Sequence, residues 1–310
     1  MLIIQIAGGL GNQMQQYALY RKLLKYHPDG VRLDLSWFDS EVQKNMLAKR
    51  EFELALFKGL PYIECKPQER AAFLDRNAAQ KLTGKALKKL GLWDNANPNV
   101  FEESRMFHPE IFELDNKYII GYFACQKYYD DIMGDLCNLF EFPEHSDPEL
   151  EKKNLELISK MEKENSVSVH IRRGDYLDPE NFKILGNIAT DEYYESAMKY
   201  FEDRYEKVHF YIFTSDHEYA REHFADESKY TIVDWNTGKD SLQDVRLMNH
   251  CLGNICANST FSFWAARLNQ RQDKVMIRTY KMRNNQPVDP YTMHDYWKGW
   301  ILIDETGREV

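Results

Sequence analysis

No stretch of this sequence approaches the roughly 18 consecutive apolar residues that a membrane-spanning helix needs. Its most apolar segments, Leu2 to Ala7 and Tyr118 to Phe123, have the length of strands. The N-terminus lacks both a basic segment and a small-residue cleavage site, so export by a signal peptide is not expected. Cysteine is scarce: five residues (Cys65, Cys125, Cys137, Cys251 and Cys256), widely spread and without a C-x-x-C pair. That excludes a disulfide scaffold and predicts reduced, buried thiols in a cytoplasmic protein, soluble or peripheral at a membrane. Positive charge is in deficit, 40 Lys plus Arg against 49 Asp plus Glu, a formal net charge of -9. Such a balance does not suit a phosphate polymer, and no nucleic-acid partner is expected.

Several catalytic signatures are missing as well. No two aspartates stand two apart, so the D-x-D metal site of many nucleotide-sugar enzymes is absent. His217 and His223 are six apart rather than the four that one helical face needs for zinc. Neither G-x-x-x-x-G-K-[ST] nor G-x-S-x-G occurs, which removes an NTPase and a serine-elbow hydrolase. No metal site and no cofactor are expected.

What is present is a chain of 310 residues, 43% hydrophobic and 14% aromatic, enough to bury a substantial core and to exclude disorder. The length suits two domains of about 150 residues. Two segments share one grammar, a β-rich run that stops at a glycine-rich or polar turn and hands over to a helix. The first is Leu2 to Ala7, then Gly8-Gly9-Leu10-Gly11-Asn12-Gln13, then a helix carrying Tyr17, Tyr20 and Leu24 on one face, then a strand Val31 to Leu35. The second is Ser166 to Ile171, then Arg172-Arg173-Gly174-Asp175. Helices are expected over Thr190 to Tyr205, His217 to Phe224, Leu242 to Leu252 and Thr260 to Leu268. They alternate with strands at Val208 to Thr214, Tyr230 to Val233, Ile255 to Ala257 and Val275 to Ile277. Alternation of this kind implies parallel βαβ units and doubly wound α/β sheets. The two prolines of Phe142 to Pro148 place the boundary between domains 1–148 and 149–310, the second ending in an aromatic tail (Tyr291, Tyr296, Trp297, Trp300) expected to pack across the domain interface.

Four motifs carry chemistry. In His170-Ile171-Arg172-Arg173-Gly174-Asp175-Tyr176, strand alternation puts Val167, Val169 and Ile171 on one face and Ser168, His170 and Arg172 on the other. His170 and Arg172 then point the same way at a carboxyl edge, where open α/β sheets bind ligands. A guanidinium there matches phosphate oxygens, unless both arginines simply pair with nearby carboxylates. Asn258-Ser259-Thr260-Phe261-Ser262 joins a strand to a helix, so its hydroxyls and N–H groups form either an anion site or a plain N-cap. Gly8 to Gln13 is not G-x-G-x-x-G. Asp34 nonetheless ends the next strand at the distance of a ribose-binding acid, which keeps an NAD-linked oxidoreductase as a rival. In Phe213-Thr214-Ser215-Asp216 the acid could accept from a purine N–H edge or cap the next helix.

Taken with Arg50-Glu51-Phe52-Glu53-Leu54, Gly121-Tyr122-Phe123 and Leu247-Met248, these motifs occur in the order found in the inverting, GDP-fucose-dependent α-1,2-fucosyltransferase family of bacteria, which the chain resembles over nearly its whole length. The H-x-R-R-x-D core is shared with α-1,6- and protein O-fucosyltransferases. The glycine-rich N-terminus and the Asn-Ser-Thr-Phe-Ser block narrow the resemblance to the α-1,2 type. Gln15, His217 and Phe263 depart from the residues common at those places. The resemblance implies a GT-B-like fold of two Rossmann-like domains facing a cleft, the first on the acceptor side and the second holding GDP-fucose. It implies a metal-independent transfer of L-fucose to the 2-hydroxyl of a terminal β-galactose on an oligosaccharide or glycolipid. By position, Arg172 would bind the β-phosphate and His170 would lie on the nucleotide side. Ser259, Thr260 and Phe261 would cradle the pyrophosphate, Asp216 would approach guanine, and Gly11 and Asn12 would sit near the sugar-phosphate. A general base is expected at Asp175 or Glu180, with Asp175 alternatively the partner that orients Arg173. A fucosyltransferase of α-1,6 linkage and a non-catalytic sugar-binding module are the further alternatives.

Overall fold

The computed structural model describes residues 1–44, 49–75, 97–286 and 289–310. The chain divides into two compact units, residues 1–55 with 59–132, and residues 56–58 with 133–310. The division falls at Met133 rather than at the expected 149. The helix Met133–Leu139 belongs with the second unit, where the following Phe140 packs its ring on Trp264 at 5.4 Å and on Phe57 at 4.9 Å. Two prolines mark a loop, but it is aromatic packing that decides to which core a helix belongs.

The first unit is built on a four-stranded, all-parallel sheet of β1 (Leu2–Gln5), β2 (Val31–Asp34), β3 (Val100–Glu102) and β4 (Lys117–Ile120), in the order β2-β1-β4-β3. Helix α1 (Leu10–Leu24) follows β1 and buries Tyr17, Tyr20 and Leu23. Residues 76–96 lie outside the described residues, and β3 follows shortly after them.

The second unit carries six parallel strands: β5 (Ser166–Ile171), β6 (His209–Thr214), β7 (Tyr230–Val233), β8 (Gly253–Cys256), β9 (Val275–Thr279) and β10 (Trp300–Ile303). Their order is β10-β9-β8-β5-β6-β7. Counted from β5 this is 3-2-1-4-5-6 read from the other edge, the doubly wound order of dinucleotide-binding sheets. Strand β10 was not expected. Its four residues, Trp300-Ile301-Leu302-Ile303, lie inside what read as an aromatic tail, and they pair with β9 in register from Trp300 opposite Met276. The remaining tail aromatics also pack within this unit. Trp297, fully buried, and Trp300 lie 5.4 and 5.8 Å from the Phe263 ring, whereas Tyr291 is 85% exposed.

Alternation along β5 holds. Val167, Val169 and Ile171 join Phe210, Ile212, Ile255 and Ile277 in one core layer, covered by Tyr193, Ala197 and Phe201 of helix α2 (Asp191–Glu202). On the other face Ser168 Oγ accepts from Asn254 Nδ2 at 2.7 Å, and the His170 ring lies 5.6 Å from that of Phe261 on helix α3 (Thr260–Leu268). Among the described residues no helix is long and apolar enough to cross a membrane. Four of the five cysteines are buried and Cys137 is partly exposed; all are free.

Candidate active site at the carboxyl edge of the second sheet

From β5 the chain winds out through β6 to β7, then returns to β8 on the other side of β5. The β5–β8 boundary is therefore the topological switch point, the place where two consecutive connections leave in opposite directions and open a crevice. Arg172 follows β5 and Asn258-Ser259 follows β8, so the two strongest motifs flank this crevice from either side.

His170, the penultimate residue of β5, is 6% exposed, and its Nδ1 is buried with no hydrogen-bond partner in the protein. Burial, reinforced by the Arg172 charge, pushes the imidazole down to about 3, so it is neutral at physiological pH. The Arg172 guanidinium stands 5.3 Å from the centroid of Tyr176. Arg173 is held two ways. Its Nε donates to Asp216 Oδ2 at 3.0 Å and its guanidinium lies 4.0 Å over the Tyr219 ring. The Tyr219 hydroxyl in turn donates to Asp191 Oδ1 at 3.2 Å. Asp216 is thus a carboxylate that orients Arg173. Asp216 also accepts from Tyr219 N–H at 3.1 Å as the N-cap of the helix His217–His223. Of its two sequence readings the capping one is what the structure displays, with the ion pair added. That N–H bond, and then Arg173, hold its carboxyl below the usual range.

Ser259 occupies the N-cap of α3 in an extended conformation but makes no side-chain cap bond to the helix. Plain capping by this serine is therefore not what the motif does. Thr260 and Phe261 form the first helical turn, partly exposed, above the buried Ser262 and Phe263. A positively polarised helix end without its serine cap now faces the same crevice edge as the arginine pair.

Asn258 was noted only as part of a motif, yet it is the bracket of the site. It is 4% exposed; its Nδ2 donates to Leu185 O at 3.0 Å and Met282 O at 3.2 Å, and its carbonyl accepts from Tyr176 Oη at 3.1 Å. The long connection after β5 is thereby pinned at both ends, enclosing a cavity of about 320 Å³. Its walls include Arg172, Arg173, Tyr176, Asn258, Asp191 and Glu192, together with the apolar Leu177, Phe182 and Leu185. The roles of Tyr176, Tyr219 and Asp191 depend on partners 28 to 82 residues away. Local residue type offered no signal for them.

The candidate bases fare differently. The side chain of Asp175 lies outside the described residues. Glu180 is on the surface, 81% exposed, paired with Lys183 Nζ at 2.6 Å, and does not line the cavity. Among the described residues no group of three His, Cys, Asp or Glu is placed to hold a metal ion.

In the first unit Gly11 and Asn12 sit in the opening turn of α1, at the carboxyl edge of β1. Gly8 has φ of +80°, and a Cβ there would lie 2.6 Å from Asn12 Nδ2, so the turn requires glycine. Gln13 ties this turn to the 50–54 motif: its Nε2 donates to Gly8 O and Glu51 O at 2.8 Å, and its Oε1 accepts from Glu53 N–H at 2.8 Å. Asp34 is 2% exposed, and its carboxylate accepts from Tyr118 Oη at 2.5 Å and from Ser36 N–H and Oγ at 3.0 Å. A dinucleotide-binding reading of this unit loses the acid it depends on.

A match to the glycosyl transferase family 11 covers residues 116–304, which include Arg172, Arg173, Asp216 and the Asn258 to Phe261 segment. The chain is 30% identical to the O-antigen biosynthesis glycosyltransferase WbnK of Escherichia coli, over 94% of this chain and 98% of that one. It is 28% identical to an alpha-1,2-colitosyltransferase of Escherichia coli, over 86% and 87% of the two chains. A shorter match, 37% identical over 33% of this chain and 28% of the other, is to galactoside alpha-(1,2)-fucosyltransferase 1 of Leontopithecus chrysomelas. With parallel α/β sheets, and with its two strongest motifs flanking a switch point, the chain belongs to glycosyl transferase family 11 and is a glycosyltransferase.

Proposed function

We propose that the chain is a galactoside α-1,2-fucosyltransferase that moves L-fucose from GDP-β-L-fucose to the 2-hydroxyl of a terminal β-galactose, with inversion and without a metal. The observation that carries this reading is the pairing, across one switch point, of Arg172 after β5 with the α3 N-terminus after β8. Two relatives named for α-1,2 transfer of colitose and of fucose support the linkage.

In the reaction the bond from fucose C1 to the β-phosphate oxygen breaks, and its electron pair stays on GDP. The galactose 2-oxygen forms the new bond on the opposite face of C1 and loses its proton. Charge therefore grows on the departing diphosphate, and fixed donors aimed at it lower the barrier. Arg172 supplies a full charge there, and Ser259, Thr260 and Phe261 supply the helix-end dipole. His170 serves as a neutral hydrogen-bonding group on the nucleotide side, because burial keeps its proton off. Asp216 acts through Arg173, which it orients. Gly11 and Asn12 keep the sugar-phosphate role that the family resemblance gives them. A base role for Glu180 requires its Lys183 pair to open; Asp175 is the other candidate for the 2-hydroxyl proton.

Incubation with GDP-fucose and a panel of β-galactosides, followed by linkage analysis, tests the reading. The expected product is a 2-linked α-fucoside, with GDP rather than NAD raising the melting temperature. A 6-linked product, or stabilisation by NAD alone, overturns it.

A further inference from the structure

Three of the ten large apolar side chains exposed among the described residues, Leu177, Phe182 and Ile184, fall within one short segment. Leu177 and Phe182, 49% and 39% exposed, line the cavity together with Leu185. Exposed leucines scattered singly need no explanation, but apolar side chains grouped in a cavity that also holds two arginines do. We propose that Leu177, Phe182 and Leu185 form a subsite for the C6 methyl of a 6-deoxy sugar and so select the donor's sugar. The inference rests on the fucosyltransferase reading above and deepens it.

The wall is built rather than incidental. Phe182 and Leu185 are three apart on the helix Pro179–Leu185 and share a face. Gly186 lies directly against the Phe182 ring, where a Cβ would come within 2.4 Å of Cδ2; glycine there leaves room for the ring. The end of the helix is held by Asn258 Nδ2 on Leu185 O at 3.0 Å, by Asn284 Nδ2 on Gly186 O at 2.9 Å and by Asn284 N–H on Ile184 O at 2.8 Å. Its approach is held by Tyr176 Oη on Asn258 O. These ties preorganise an apolar surface beside a cationic one. An ordinary hexose presents a hydroxymethyl group at C5, whose hydroxyl gives up water where it lies against such a wall. A 6-deoxy sugar presents a methyl group, which gains by burial.

GDP-L-galactose differs from GDP-L-fucose only by a hydroxyl on C6, so the ratio of their kcat/KM values on one galactoside acceptor reads this subsite alone. An apolar pocket discriminates against an added hydroxyl by about 10². The expected wild-type ratio is of that order in favour of GDP-L-fucose, falling at least about tenfold in Leu185→Asn and Leu177→Asn. Because the ratio is taken within one protein, partial misfolding of a variant does not alter it, and Leu177 is exposed enough for its replacement to leave packing intact. A wild-type ratio near one, or a ratio unchanged in both variants, overturns the subsite while leaving the fucosyltransferase reading in place. Turnover of neither donor overturns that reading and the subsite with it.

Discussion

Arg172 and Arg173 are adjacent and chemically identical, and the structure gives them different work. Arg173 is engaged by Asp216 and the Tyr219 ring, so much of its charge is answered within the protein. Arg172 stands at the switch point beside Tyr176 and lines the cavity, and on the function proposed above it is the residue that meets the growing charge of the diphosphate leaving group. A charge-assisted hydrogen bond contributes about 1.5–3 kcal/mol, so Arg172→Ala is expected to slow GDP release in the presence of lactose by at least about tenfold, with an unchanged far-UV circular dichroism spectrum. Near-normal turnover contradicts that assignment. At this scale the sequence was most legible where residue type and local position decide. Strand alternation alone put His170 and Arg172 on one side of β5. It could not show that Arg173 finds Asp216, because that pair is 43 residues apart and is made by neighbouring strand ends. Nor could it show that Glu180 is spent on a surface pair with Lys183.

Elements are where long-range packing overrides local grammar. The helices and strands with clear periodicity from 166 to 279 fall where the pattern put them. Two that lack it, β3 and β10, are short strands that pair at the edges of the two sheets. The helices on the outer face bring their own titratable groups. Asp244, in the first turn of the helix Leu242–Met248, accepts from Asn236 Nδ2 at 2.9 Å, and Asn236 Oδ1 accepts from Asn154 on the helix Pro148–Met161 at 3.0 Å. Burial pushes the Asp244 carboxyl up to about 7. In the unfolded chain it ionises near its ordinary value of about 4. The folded state thus binds the extra proton between about pH 4 and 7, and this group's contribution to stability is lost as pH rises through that window. Asp244→Asn, which keeps an acceptor for Asn236, is expected to raise the melting temperature at pH 8 by several degrees, at about 2–4 °C per kcal/mol, and to leave it little changed at pH 4.5. Equal shifts at both pH values contradict a raised carboxyl.

Among the described residues of the whole molecule there are two parallel sheets, and each has a carboxyl edge where its strand order reverses. The glycine turn after β1 and the arginine pair after β5 are therefore rivals for the nucleotide by fold alone. Side-chain chemistry separates them. At the first edge Asp34 is buried under Tyr118 and Ser36, and Gln13 fastens the turn to the 50–54 segment. At the second, Arg172, a helix end without its serine cap and a cavity of about 320 Å³ coincide. The acidic balance of the chain, -9, is compatible with this, because one small diphosphate needs a local cationic site and not a basic surface. The determination of the structure with GDP bound tests this assignment most directly. The diphosphate is expected in the β5–β8 crevice, with Arg172 on the β-phosphate and the N-terminal turn of Thr260–Leu268 beneath it. Nucleotide seated instead on the Gly8–Gly11 turn, with the β5–β8 crevice empty, would contradict it.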